Sequence, residues 1–178
     1  MASIINNVNN NIPECTATSV LAALESCSHY DATVRQPAER AIQGWEKSCP
    51  GYASHLLSIL SSTSSTSNAG ARLLAAILIK NAIPTIWAFS GKQKQQEKGN
   101  DTTTEQQQQV LIEQNKQEKV HIRGALPNLY FTEGIIDEKI ALYLRLAIGA
   151  ISCFDFPLEW PSLLQDLLQV AASADSGG

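Results

Sequence analysis

The feature that most restricts this chain is a recurrence of helical stripes, short then long, along most of its length. The cleanest is "DATVRQPAERAIQGWEK", Asp31 to Lys47. There Val34, Pro37, Ala38, Ala41, Ile42 and Trp45 recur at the spacing of one helix face, and Arg35, Gln36, Glu39, Arg40, Gln43 and Glu46 take the other. Asp31 is placed to accept from the free amides of the first turn, and Pro37 sits near the start, where a missing N–H costs least. Ahead of it, "TATSVLAALESCSHY" reads as a shorter helix with Val20, Leu21 and Leu24 inward. Behind it, Pro50 and Gly51 mark a turn, and the next helix turns Tyr52, Leu56, Leu57 and Leu60 inward.

A Ser/Thr run, Ser61 to Ser67, reads as a linker, with Asn68 as a cap for "AGARLLAAILIKNAI". The core of that segment, "LLAAILI" (Leu73 to Ile79), also fits a buried strand; its alanines, its length and the cap favour helix. It is too short to span a membrane. Like "DEKIALYLRLAIGAIS" (Asp137 to Ser152, with Ile140, Tyr143, Leu144, Ala147, Ile148 and Ile151), it is apolar on more than one side and so requires neighbours on more than one side. Between Ser90 and Gln117 a Lys/Gln/Thr-rich insert lacks apolar periodicity and reads as a mobile surface loop, helical at most near Val110 to Ile112. "EKVHIRGALPNLYF" gives a helix bent or stopped near Pro127. Pro157 is expected to open the last helix with Pro161 in its first turn, Trp160 and the stripe Leu163, Leu164, Leu167 and Leu168 facing inward.

The order is therefore short helix and long helix three times over, then one helix alone. A period of roughly 35–40 residues is that of an all-α superhelix of HEAT or armadillo type, in which hairpins stack because none buries its own apolar face alone. The helix after Pro157 reads as the first half of a fourth hairpin, which makes the chain the front of a longer array. The expected organisation is a disordered tail at 1–15 (with "NNVNNN"), repeats over 16–172 with a flexible Gln-rich insert at 90–116, and a disordered tail at 173–178. A hydrophobic fraction of 44% supplies a core, and 6% aromatic content suits one built from Leu, Ile and Ala.

No chemistry-bearing constellation emerges. His29, His55 and His121 are isolated; His29 reads as a turn residue and His55 as a helix-surface one. "SGKQK" (Ser90 to Lys94) lacks the glycine spacing of a phosphate loop, and Glu133, Asp137 and Glu138 read as an acidic helix start rather than a metal site. Cys15, Cys27, Cys49 and Cys153 have no metal-ligand spacing and read as reduced, buried thiols. A net charge of −4 argues against a nucleic-acid partner, and no cofactor is implied.

Three stretches carry a resemblance. "RQPAERAIQGWEKSCPGYASHLLSIL", "ARLLAAILIKNAIPTIW" and "DFPLEWPSLL" resemble, in order and spacing, the first, second and fourth repeats of the importin-β superfamily of nuclear transport receptors. The resemblance implies a carrier, not an enzyme, shuttling between nucleus and cytoplasm. It implies Ran-GTP binding by the second helix of each pair, here Val34 to Lys47, Ala69 to Ile83 and Glu138 to Ser152, on the concave side. It also implies shallow grooves for Phe-Gly nucleoporins between the outer helices, and protein cargo on later repeats. Lys80 and Asn81 match the family's K-N pair and are placed at a helix C-terminal end, where a cation is favoured. They lead the Ran-contact candidates, with Arg72, Arg35 and Glu39. Arg72 reads equally as an arginine snorkelling from a buried helix, and Trp45, Trp87 and Trp160 as core rather than groove. Pro84, after the K-N pair, is expected to end its helix early. Two other readings stand beside this one: a HEAT scaffold or adaptor without Ran affinity, and a small helical enzyme or lipid carrier closing into a bundle.

Overall fold

The computed structural model describes residues 12–62, 69–92, 102–133 and 137–175, and among them every regular element is an α-helix. In order they are α1 (Ala17–Cys27), α2 (Ala32–Ser48), α3 (Tyr52–Ser61), α4 (Ala69–Lys92), α5 (Thr102–Glu133), α6 (Glu138–Asp155) and α7 (Leu163–Asp175). Local chemistry sets several starts. Thr16 Oγ1 accepts from Ser19 N at 3.1 Å, Asp31 Oδ1 from Thr33 N at 2.9 Å, and Asp137 Oδ1 from Lys139 N at 2.9 Å. The α2–α3 turn needs Gly51, whose φ of 85° lies in the left-handed region that side chains avoid.

Helices α1/α2, α3/α4 and α5/α6 pack as hairpins, and the first members stack α1 on α3, α3 on α5 and α5 on α7. In the second row α4 and α6 lie side by side, whereas α2 packs chiefly on α1 and only touches the edge of α3. The result is a HEAT-type stack, with a continuous core through Leu24, Leu56, Leu57, Leu60, Ile79, Ile83, Ile122, Leu126, Ile140, Leu144 and Ile151. Each such side chain stabilises the fold by about 1.5–3 kcal/mol through burial. Helix α4 meets α1, α3, α5 and α6, which explains its apolar circumference. Its stretch Ala69–Trp87 is long and apolar enough to cross a membrane by composition alone, longer than "LLAAILI" suggested, yet its neighbours here are helices.

Several sequence expectations are corrected. Helix α4 does not end at Pro84 but runs to Lys92; proline in a helix interior costs about 3 kcal/mol, and the buried Ile83 and Trp87 on either side offset that. Helix α5 likewise runs through Pro127, between buried Leu126 and Leu129. The Gln-rich stretch is already helical from Thr102, because Gln, Glu and Lys are good helix formers even without an apolar stripe; residues 93–101 lie outside the described ones. Pro157 does not open α7. It follows Phe156 through a cis peptide in a turn, and the helix begins at Leu163.

The leucine stripe is also half wrong. Helix α7 packs chiefly on α5, so Leu163 is buried and Leu167 partly so, while Leu164 and Leu168 are 61% and 71% exposed. With α1 as its main neighbour, α2 buries a narrower stripe than read: Ala38, Ala41, Ile42 and Trp45 are inside, Val34 and Pro37 outside. The cysteines are not fully buried either: Cys153 is exposed and the other three are half-buried. The linker at 63–67, the Asn68 cap and residues 1–11 and 176–178 of the two tails lie outside the described residues.

Residues 12–15, expected to belong to a disordered tail, run against α2. Pro13 O accepts from Trp45 Nε1 at 2.8 Å, and a Cβ at Gly44 would collide with the Ile12 side chain. A larger residue at 44 would have to displace the exposed Ile12 side chain. Leu57→Ala is expected to lower the unfolding free energy by about 2–5 kcal/mol, and Leu168→Ala to change it by less than about 0.5 kcal/mol. Urea unfolding followed by circular dichroism checks both, and a large loss at Leu168 would mean that α7 is turned the other way.

Candidate functional site

Two surfaces follow from this arrangement: the solvent side of the second-helix row and the grooves between first helices. On the first, Lys80 and Asn81 stand near the middle of α4, not at a helix end, so the dipole argument for them does not hold. Asn81 is exposed and Lys80 partly so, and the ammonium Nζ donates to Asn81 Oδ1 at 3.3 Å. The pair is therefore a small, pre-arranged polar patch on an otherwise apolar helix.

Arg35 and Glu39 form a second pair, on α2. Arg35 Nε lies 3.4 Å from Glu39 Oε1, and its Nη1 donates to the His29 carbonyl at 3.2 Å. The guanidinium thus also ties down the α1–α2 turn, where His29 Nδ1 accepts from Asp31 N at 3.1 Å and the His29 ring stacks on Tyr30 at 4.6 Å. Arg72 belongs to neither pair. Its Nη2 donates to Leu60 O at 3.2 Å, stitching α4 to the end of α3, so the snorkelling reading describes it. The structure brings Lys80 to Asn81 and Arg35 to Glu39, but turns Arg72 inward.

The grooves lie between successive first helices. One, of about 360 Å³, is lined by Pro50, Gly51 and Ser54 at the start of α3 and by Gln114, Gln117, Glu118 and His121 of α5. The other, of about 350 Å³, lies between α5 (Arg123, Gly124, Pro127, Asn128) and α7 (Asp166, Gln169, Val170). Both are shallow and open. Trp45, Trp87 and Trp160 are 2%, 5% and 5% exposed and serve the core rather than the groove walls.

Residues that sequence reasoning missed hold these grooves together. Glu118 Oε1 and Oε2 accept from Ala53 N at 3.1 Å and Gly51 N at 3.3 Å, so a carboxylate of α5 caps the amino end of α3. His121 Nδ1 and Ser54 Oγ meet at 3.1 Å in the same groove. Arg123 Nη1 donates to Glu159 O at 2.7 Å and lies 3.4 Å from Asp155 Oδ2, the one buried charged side chain among those described. Trp160 Nε1 donates to Asp166 Oδ2 at 2.9 Å. Lys119 places its ammonium 5.3 Å from the Trp87 ring, and burial lowers its proton affinity. These partners are separated by 32 to 67 residues for Arg123 and Glu118, beyond any local spacing signal.

No cluster of three or more His, Cys, Asp or Glu suited to a metal occurs among the described residues. Of the acidic stretch near α6, Asp137 caps the helix and Glu138 occupies its first turn; the side chain of Glu133 lies outside the described ones.

A stack of helix pairs with shallow grooves outside and a polar-patched second row is the build of a helical-repeat protein of HEAT type. The sequence places it further. The profile of the importin-β N-terminal domain matches residues 38–132, more than half of the chain, and the chain belongs to that family of nuclear transport receptors. It is 28% identical to human "Importin-11" over 154 residues, 86% of this chain and 13% of that protein. Against mouse "Importin-11" the identity is 28% over 151 residues, 84% and 13%. The chain thus spans about 13% of the length of these relatives. No solved structure matches it.

The Lys80/Asn81 patch and Arg72 separate cleanly by stability. Replacing both Lys80 and Asn81 by alanine is expected to shift the unfolding free energy by less than about 0.5 kcal/mol. Arg72→Ala is expected to lower it by about 1–3 kcal/mol, since the Leu60 carbonyl and the packed stem both lose a partner. Thermal melts of the two variants beside the natural chain provide the check.

Proposed function

We propose that this chain is the N-terminal, Ran-GTP-binding part of an importin-β-like nuclear transport receptor, moving between nucleus and cytoplasm. The observation that carries the reading is the second-helix row, α4 beside α6, whose solvent side holds the Lys80/Asn81 pair where the family resemblance puts a GTPase contact. A lysine and an amide already held together by a hydrogen bond lose little side-chain freedom on meeting a polar protein surface. Arg35 and Glu39 add a second polar patch on α2. Arg72 is withdrawn as a contact because its guanidinium serves the α3–α4 joint.

The grooves between α3 and α5 and between α5 and α7 are the places for Phe-Gly nucleoporin segments: open, partly apolar and repeated along the outer row. Protein cargo would be held by repeats beyond the stretch described. Release then follows from linkage, because a GTPase and a cargo that favour different curvatures of one stack weaken each other's binding by the same factor.

The test is retention of Ran by the immobilised chain, with Ran loaded with a GTP analogue or with GDP. Stronger retention of the GTP form is expected, and Lys80→Glu should weaken it about tenfold, or about 1.4 kcal/mol. Equal or absent retention of the two forms would overturn the reading.

A further inference from the structure

Trp45 is 2% exposed, yet its indole N–H is partnered by a segment that lies on the surface. Nε1 donates to Pro13 O at 2.8 Å, and beside it Gly44 leaves room for the Ile12 side chain. Ile12, Pro13 and Glu14 are exposed and belong to no helix, and Thr16 then caps α1. What the segment supplies is an acceptor for a buried donor and an aliphatic cover next to it. Its chemistry suits the task. Proline biases the residue before it toward extended backbone, brings no N–H to be left unpaired against the helix, and keeps its carbonyl. Extended proline-containing segments docked on aromatic side chains are a general means by which one protein holds another.

We infer that Gly44 and Trp45, at the carboxyl end of α2, form a peptide site that Ile12 and Pro13 occupy intramolecularly, and that its external ligand is an extended protein segment with an aliphatic residue followed by proline. The occupant in place defines that ligand. The aliphatic side chain lies over Gly44, and the proline carbonyl accepts from the indole. Trp45, with the Tyr52 ring 6.5 Å away, forms the floor. The short link to α1 holds the resident segment at an effective concentration on the order of millimolar, so it shuts out a weak external segment until it is displaced. An empty site would leave a buried N–H unpaired, which favours exchange of one segment for another over simple opening. The site stands apart from Arg35 and Glu39, which lie in the first half of α2, and does not depend on the GTPase reading.

The test uses the full chain with isotope-labelled tryptophan, whose indole N–H signals are followed by NMR and assigned with Trp45→Phe, Trp87→Phe and Trp160→Phe. Ile12→Asp, a change at an exposed position, is expected to move the Trp45 signal and leave the other two in place. A synthetic peptide of residues 9–14, NNNIPE, should then return the Trp45 signal toward its natural position, with a Kd on the order of 1 mM. The natural chain should bind that peptide at least about tenfold more weakly, because its own segment competes. The same peptide carrying Ile12→Asp should have no effect. In the Ile12→Asp background, Gly44→Ala should weaken binding and Gly44→Val abolish it, with helix content unchanged by circular dichroism. A Trp45 signal indifferent to Ile12→Asp, undiminished binding to both Gly44 variants, or no response at peptide concentrations about tenfold above that Kd would overturn the proposal.

Discussion

Everything in this molecule hangs on the burial of α4 from several directions at once. Ala71, Ala75, Ala76, Ile79 and Ile83 are all fully buried, and four other helices pack against them. Alanines let those helices approach closely; the isoleucines fill what is left. A helix with one apolar stripe can be satisfied by one partner, whereas one apolar on every side cannot end a stack and must sit inside it. The same burial holds Pro84 in mid-helix, since the turns on both sides of it are fixed by packing rather than by an unbroken ladder of hydrogen bonds.

What was legible in the sequence was the part encoded over three or four residues. The α2 stripe from Ala38 to Trp45, the Asp31 cap and the burial of Tyr52, Leu56, Leu57 and Leu60 are local patterns, and the structure has them. What misled was mostly a long-range term. Pro84 and Pro127 look like stops until the packing around them is known. Leu164 and Leu168 repeat at helical spacing but face no helix among the described residues. Arg72 looks like a surface cation until Leu60 O is placed beside it. Of the candidate site, sequence named the Lys80/Asn81 and Arg35/Glu39 pairs, but put the first at the wrong place in its helix.

The stretches that carry the family likeness turn out to be joints. In "DFPLEWP", Asp155 takes the Arg123 ion pair and its carbonyl accepts from Glu159 N and Trp160 N at 2.7 and 3.0 Å, while Trp160 fills the core. In "GWEKSCPGY", Gly44 admits Ile12, Trp45 holds Pro13, and Gly51 makes the turn. Each of these residue types does a structural task at its joint. The solvent sides of the same helices are where local sequence patterns say least.

This division of labour puts weight on α2. It contributes the Arg35/Glu39 pair, yet it is not embedded between second-row neighbours as α4 is. Its carboxyl end is instead fixed by residues 12–15, by Trp45 packed 6.5 Å from the Tyr52 ring, and by α1 along its length. A partner that touches both polar patches must find α2 at a set distance from α4. The short segment ahead of α1 gives α2 a second hold besides α1. Order at this edge of the stack comes from side-chain contacts centred on Trp45, which joins residues 12–15 to the core.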